Sequence, residues 1–256
     1  MFTAFHALII GIVEGITEFL PISSTGHMIL AAKLLGLTET EFLKSFEIII
    51  QLGAILSVVV LYWRSFLMNL EVLKRIIVAF IPTGILGLIF YKIVKHYFLG
   101  STSIVIWALF LGGIILIVFE LWHKGKPEIK QDLAKMPYMK AFWIGAFQSL
   151  AIVPGVSRSA ATIVGGMLLG IDRASIVEFS FLLAAPTMLA ATGLDLVKTG
   201  ASFNSSQVIL LMIGFVAAFL TAIVAIKFLM NYIKNHTFIS FGIYRIVVAI
   251  LFWFVV

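Results

Sequence analysis

Glu14 and Glu18 stand four residues apart in an otherwise apolar stretch, so a helix there carries two carboxylates on one face, about a turn apart. Like charges at that spacing repel, and burial makes the repulsion worse. Such a pair is tolerable with a bound cation, a shared proton or a nearby arginine. A divalent metal, a carboxyl that keeps its proton, or both, is therefore the functional reading and a wet helix end the bland one. Glu14 follows a run of apolar residues and Phe19-Leu20 follows Glu18, which favours the functional reading.

Directly beyond, Pro21-Ile22-Ser23-Ser24-Thr25-Gly26-His27 joins a helix break to three hydroxyls and an imidazole. Capping of the next helix accounts for one hydroxyl, not for Ser23, Ser24 and Thr25 together. His27 lies three residues from Ser24 and four from Ser23, spacings at which a hydroxyl and an imidazole can approach as nucleophile and base. A second segment, Pro154-Gly155-Val156-Ser157-Arg158-Ser159, with Thr162 a turn further on, supplies an arginine deep in an apolar surround. A guanidinium donates two parallel hydrogen bonds to phosphate, and the helix N-terminus behind it adds free N–H groups. Ser157, Ser159 and Thr162 can supplement them. The structural alternative is an ion pair from Arg158 to Glu14 or Glu18 that ties the two segments together. Glu47, Gln51, Glu178, Asp195 and Arg245 are weaker candidates, read as helix-end or interhelical polar contacts.

The elements that position these groups follow from composition. Of 256 residues, 62% are hydrophobic and 12% charged, and the mean hydropathy is +1.14, far more apolar than a soluble domain. Uninterrupted apolar runs predict six crossing helices near 42–63, 76–94, 102–121, 175–197, 207–230 and 240–256. The stretches 1–37 and 139–170 are instead broken at Pro21 and Pro154 into half-length helices. A re-entrant hairpin, with its polar tip in a protein-lined cavity, satisfies the backbone groups that hydrocarbon cannot.

The two hairpins resemble each other. A shift of 134 residues places Gly11 on Gly145, Glu14 on Gln148, Ser23 on Ser157 and Leu34-Leu35-Gly36 on Leu168-Leu169-Gly170, which makes Gln148 a candidate substrate-binding residue. Three crossings between the hairpins bring the second in from the opposite face. The expected fold is an all-α polytopic membrane protein with an inverted-topology repeat, six transmembrane helices plus two re-entrant helical hairpins. It forms a single transmembrane domain over 1–256, with repeat one about 1–121 and repeat two about 139–256.

Arg64, Lys74, Arg75, Lys124, Lys126, Lys130, Lys135, Lys140, Arg173, Lys227 and Lys234 fall on one face, expected to be cytoplasmic, and mainly Lys33, Lys44, Lys92, Lys95 and Lys198 on the other. Both termini and the mouth of the first hairpin are then extracytoplasmic, and the two tips meet near the midplane. The N-terminus has neither the basic start nor the cleavage site of a signal peptide and is read as mature protein. The net charge of +6 resides in loops and does not indicate nucleic acid; the absence of cysteine excludes disulfides and thiolate chemistry.

EGITEFLPISSTGH and PGVSRSAAT resemble the two signatures of the undecaprenyl pyrophosphate phosphatases, the bacitracin-resistance family, and the resemblance covers essentially the whole chain. It implies hydrolysis of undecaprenyl pyrophosphate to undecaprenyl phosphate and inorganic phosphate, recycling the lipid carrier of cell-wall peptidoglycan synthesis at the bacterial inner membrane, with the site opening to the extracytoplasmic side. Glu14 and Glu18 match the glutamate-rich motif and are the expected ligands of a divalent metal, Mg or Ca. Glu18, Ser24, His27 and Arg158 are the expected catalytic residues. Ser23, Thr25, Ser157, Ser159, Thr162 and Gln148 are the expected substrate-binding residues. Attack by Ser24 with His27 handling the proton, attack by His27 itself, and water activated by a glutamate all remain open. The expected partners are the polyprenyl pyrophosphate and membrane lipids, with homodimerisation open. A polyprenyl-phosphate flippase with the same inverted-repeat site is the alternative class.

Overall fold

In a computed structural model of the chain, residues 2–38, 40–93, 101–126, 128–199 and 203–255 are described, for residues 67, 91–93, 195, 198, 199 and 255 as backbone only. The side chains of Lys92, Lys95, Asp195 and Lys198, weighed above, lie outside the described residues. The described chain is helical almost throughout: α1 (Ala4–Thr17), α2 (Ser24–Leu34), α3 (Glu41–Leu61), α4 (Trp63–Leu67), α5 (Leu70–Ile93), α6 (Thr102–His123), α7 (Tyr138–Gln148), α8 (Arg158–Leu168), α9 (Arg173–Thr199), α10 (Ser205–Tyr232) and α11 (Ile239–Val255).

Among the described residues, α3, α5, α6, α9 and α10 are long and apolar enough to cross a membrane. The sixth expected crossing, α11, has 17 residues and spans about 25 Å against a hydrocarbon core of about 30 Å. Helix α5 starts at Leu70, earlier than its hydropathy predicts. Asn69 accepts from the Val72 N–H, and Glu71 pairs with Lys74 and Arg75 on the first turn, so the polar residues extend the helix. Leu88, Trp107, Val118, Leu121, Phe228 and Trp253 are exposed on outer faces, as expected where lipid replaces water as solvent.

Both expected breaks are present. Helix α1 ends at Thr17 and α2 begins at Ser24; α7 ends at Gln148, passes through a 3-10 turn over Ser149–Ile152, and α8 begins at Arg158. Small residues let the broken helices approach their neighbours closely. A Cβ on Gly11 would meet the Gly214 carbonyl of α10 at 2.5 Å, and one on Gly145 would run into the Ala79 carbonyl of α5.

Contacts sort the helix ends into two groups. At one end, Phe2 packs edge-on against Phe42 and Phe46, and Phe42 meets Phe203, bringing together the starts of α1, α3 and α10; Leu35 and Leu37, just past α2, join the same cluster. At the other end, Arg75 donates from Nε to the Met136 carbonyl at 2.5 Å, and Ile129 bridges to Ile171. There Arg173 holds Glu120 with two bonds of 2.8 Å, and the Phe238 N–H donates to the same carboxylate. The starts of α5, α7, α9 and α11 and the end of α6 meet at that second end.

Candidate functional site

The two breaks face each other inside the helix assembly. Glu18, the residue that closes α1, lies between them. Its Oε1 accepts from Nη2 of Arg158 at 2.8 Å, and its Oε2 accepts from the Ser24 hydroxyl at 2.5 Å. All three side chains are largely buried. Arg158, the first residue of α8, also donates from Nη1 to the Ser180 carbonyl of α9 at 2.9 Å, while its Nε has no hydrogen-bond partner. Ser159 donates to the Phe19 carbonyl at 2.8 Å, a second bond from one break to the other.

Ser23 and Ser157, the residues preceding α2 and α8, are the only described non-glycine residues with positive φ, at 72° and 75°. Their ψ values are 100° and 112°. Such a conformation costs on the order of 1–3 kcal/mol per residue and persists where the surroundings over-determine it. Ser157 caps α8 by accepting from the Ala160 N–H at 3.2 Å. Ser23 makes no such bond from its side chain.

A cavity of about 120 Å³ lies over this junction, lined by Glu18, Ser23, Ser24, Thr25, Ser157 and Arg158, with Pro154, Gly155, Gln51 and Met188 among the remaining walls. Six of the expected catalytic and substrate-binding residues therefore line it. Three of the expected substrate-binding residues do not line it. Ser159 faces Phe19. Thr162 is fully buried a turn below, 2.6 Å from the Ser180 hydroxyl. Gln148 donates to the hydroxyls of Thr83 and Thr187, joining α7 to α5 and α9.

His27 does not take up the contact with Ser24 that its spacing allows. Its Nδ1 lies 2.7 Å from the Ser23 carbonyl, which can only accept, so Nδ1 carries a proton, and Nε2 is hydrogen-bonded with the Tyr244 hydroxyl at 2.9 Å. The two rings stack at an interplanar angle of 3°. Both ring nitrogens are thus engaged away from Ser24, whose proton points to Glu18 instead.

Glu14 is fully buried, and neither carboxyl oxygen has a hydrogen-bond donor. It lies against Glu18 and within electrostatic reach of Glu47 and Arg158. Two carboxyl groups in contact need a proton or a cation between them. Among the described residues no group of three or more His, Cys, Asp or Glu side chains is placed to hold a metal.

Sequence reasoning ranked Gln51 only as a helix-end or interhelical contact where it is a cavity wall, and missed Met188 as a wall and Tyr244 as the partner of His27. Gln51 had a polar side chain in an apolar run as its signal. Tyr244 had none, because an aromatic near a helix start reads equally well as a lipid-interface residue.

Fold and site together define a multi-pass helical membrane protein that gathers acid, hydroxyl and guanidinium groups in a buried cavity between two broken helices. A family model described as bacitracin resistance protein BacA matches residues 7–251, and the chain belongs to that family. Relatives named undecaprenyl-diphosphatase include those of Sulfurihydrogenibium sp. (strain YO3AOP1), 55% identical over 98% of each chain, and of Aquifex aeolicus (strain VF5), 52% identical over 98% of this chain and 97% of the relative. The relative from Persephonella marina (strain DSM 14350 / EX-H1) is 51% identical over 96% of each.

Proposed function

We propose that this protein hydrolyses undecaprenyl diphosphate to undecaprenyl phosphate and inorganic phosphate. The observation that carries the reading is the chain Ser24–Glu18–Arg158, which places a hydroxyl, its proton acceptor and a phosphate-binding guanidinium within 2.5 and 2.8 Å of one another at the cavity wall. The shared name of the relatives supports hydrolysis over carriage of the lipid.

Ser24 Oγ attacks the terminal phosphorus as its proton passes to Glu18 Oε2, and the phosphoanhydride bond breaks to release undecaprenyl phosphate. Water then hydrolyses the phosphoserine. Arg158 shifts from Glu18 toward the phosphate oxygens, and its unpartnered Nε supplies a further donor. Charge stabilisation and positioning are most of what phosphoryl transfer needs. Ser23, Thr25 and Ser157 contact the diphosphate. Ser159, Thr162 and Gln148 support the wall from behind. His27, held by Ser23 and Tyr244, shapes the turn that presents Ser24.

The orphaned oxygens of Glu14, beside Glu18, fit a hard cation such as Mg or Ca; Mg would be held by one or two carboxylates with phosphate oxygens and water completing its shell, and Ca would need more oxygens than these. When bound, such an ion neutralises charge on the phosphates and on the carboxylate pair.

The matching strained serines at Ser23 and Ser157 support a repeat of about 1–121 on 139–256 within one transmembrane domain. Each broken pair begins and ends at one end of the assembly, and the two pairs use opposite ends. That arrangement supports two re-entrant hairpins of inverted topology with α11 as the sixth crossing. Arg75, Lys124, Lys135 and Arg173 belong to the end where α7 enters, which the charge rule makes cytoplasmic. The site then opens to the outer side of the bacterial inner membrane.

The experiment is phosphate release from undecaprenyl diphosphate by purified protein in detergent. Wild type is expected to release phosphate and Arg158→Ala and Ser24→Ala to lose release while remaining folded. A folded wild type that releases none sinks the hydrolase.

A further inference from the structure

Arg245, on α11, is fully buried in a part of the chain that sequence reading treats as a membrane crossing. Its five N–H groups all go to main-chain carbonyls. Nε donates to Leu109 at 3.3 Å. Nη1 donates to Pro21 at 3.3 Å and Val156 at 3.0 Å. Nη2 donates to Ala108 at 2.9 Å and Gly155 at 3.0 Å. Among the described residues no carboxylate pairs with it. The fork is filled, and it is filled from three places: α6, the first break and the second break.

Space for the guanidinium is built in. A Cβ on Gly112 of α6 would collide with Nη2, so that glycine leaves the berth. Gly155 sits at φ 91°, and a Cβ there would meet the Val105 carbonyl at 2.8 Å and Ala108 at 2.9 Å, so only a bare backbone brings its carbonyl to Arg245.

Three of the five carbonyls that Arg245 holds precede the strained serines. Pro21 lies two residues before Ser23, and Gly155 and Val156 lie directly before Ser157. In a trans peptide the C=O and the following N–H point in opposite directions. Fixing the Val156 carbonyl on Arg245 therefore turns the Ser157 N–H away from it and holds one of the two peptide planes between which the φ of 75° is defined at Ser157, the residue that caps α8 and lines the cavity. A lysine has one point of charge and three donors, and cannot reproduce a planar fork shared by five acceptors.

We propose, resting on the hydrolase reading above, that Arg245 is the positioning residue of the phosphate site. It ties both breaks to α6 and holds Ser23 and Ser157 in register for a diphosphate headgroup, without touching the substrate.

The test uses the purified full chain in detergent, as wild type, Arg245→Lys, Arg245→Gln and, as a control, Phe252→Ala, which removes a buried ring from the α6–α11 core. Steady-state phosphate release from undecaprenyl diphosphate is measured beside melting temperature and hydrogen–deuterium exchange. Arg245→Lys is expected to lower kcat about 100-fold, the scale of a small misplacement, with KM within about threefold. Exchange in peptides covering residues 20–27 and 153–159 should rise together. Phe252→Ala should keep kcat within about threefold at a comparable loss of melting temperature. The proposal is overturned if Arg245→Lys keeps its kcat, if its loss follows melting temperature as in the control, or if neither Arg245 variant folds, which makes the residue one for folding alone. A wild type without phosphate release removes the hydrolase reading. The exchange comparison still decides this one, which fails unless both loops loosen together.

Discussion

At the scale of single residues, the site depends on Glu18 having two jobs at once. Its carboxylate neutralises Arg158 and receives the Ser24 hydroxyl, so removing Glu18 or Arg158 leaves the other's charge buried. Breaking such a pair costs about 3–5 kcal/mol. Glu18→Gln is therefore expected to lose both phosphate release and a large part of the melting temperature, whereas Ser24→Ala loses release with a much smaller shift. Comparing the two melts with the two rates checks this, and a Ser24→Ala enzyme that stays active removes Ser24 as nucleophile. Glu14 has no donor on either oxygen, so its substitution is read through the ion. Chelator should abolish release, Mg or Ca should restore it, and Glu14→Gln should need about 10–100-fold more metal for the same rate. The sequence made the acid pair, the serines and Arg158 legible because charges in an apolar run need partners. It misled on His27, since a spacing of three or four residues permits a contact with Ser24 but does not choose it over Tyr244, 217 residues away.

At the scale of elements, the ends of helices are fastened by polar groups whose roles are separable from the cavity. Glu120 of α6 is nearly fully buried and takes both Nη atoms of Arg173 at the start of α9. Arg173→Ala should lower stability by about 3–5 kcal/mol while the rate per folded molecule changes little, as measured by thermal unfolding and by phosphate release below the transition. Asp172 caps α9 through the Ser175 N–H at 3.0 Å and holds the Gln131 N–H at 2.9 Å. Burial alone pushes its carboxyl up, but the donors from Ser175 and Gln131 outweigh burial and hold it below the ordinary value of 3.8. A carboxyl lowered in the folded state contributes stability that is fully present above 3.8 and is lost as pH falls through the folded value. Asp172→Asn should therefore reduce melting temperature at neutral pH and flatten its decline below pH 3.8, as melts across that range would register. The two breaks were legible from Pro21 and Pro154 taken with the serines that follow them, since proline removes a helix N–H and the serines cap a new start; Pro82 and Pro186, with no serine beside them, lie inside α5 and α9. The early start of α5 was not, because Glu71, Lys74 and Arg75 look like loop until their spacing on one turn is paired.

At the scale of the whole molecule, orientation gives a further prediction. The chain has no cysteine, so single replacements are clean probes: Lys135→Cys should react with an impermeant thiol reagent only from the cytoplasmic side, and Lys33→Cys only from outside. Labelling of both from one side would remove the inverted arrangement. By itself the sequence determined the solvent, the helical class, the two breaks and the residues around them, because hydropathy, proline and intramembrane charge act locally and need no knowledge of neighbours. Tertiary structure alone decided which of those groups meet. Ser24 went to Glu18, His27 to Tyr244, and Gln148, which a shift of 134 residues sets on Glu14, to Thr83 and Thr187. It also made Arg245 the common anchor of both breaks, through carbonyls that every residue possesses and that no pattern of side chains can reveal. The physical reason is that a hydrogen bond is fixed by distance and direction across helices, whereas spacing along the chain constrains only one helix at a time.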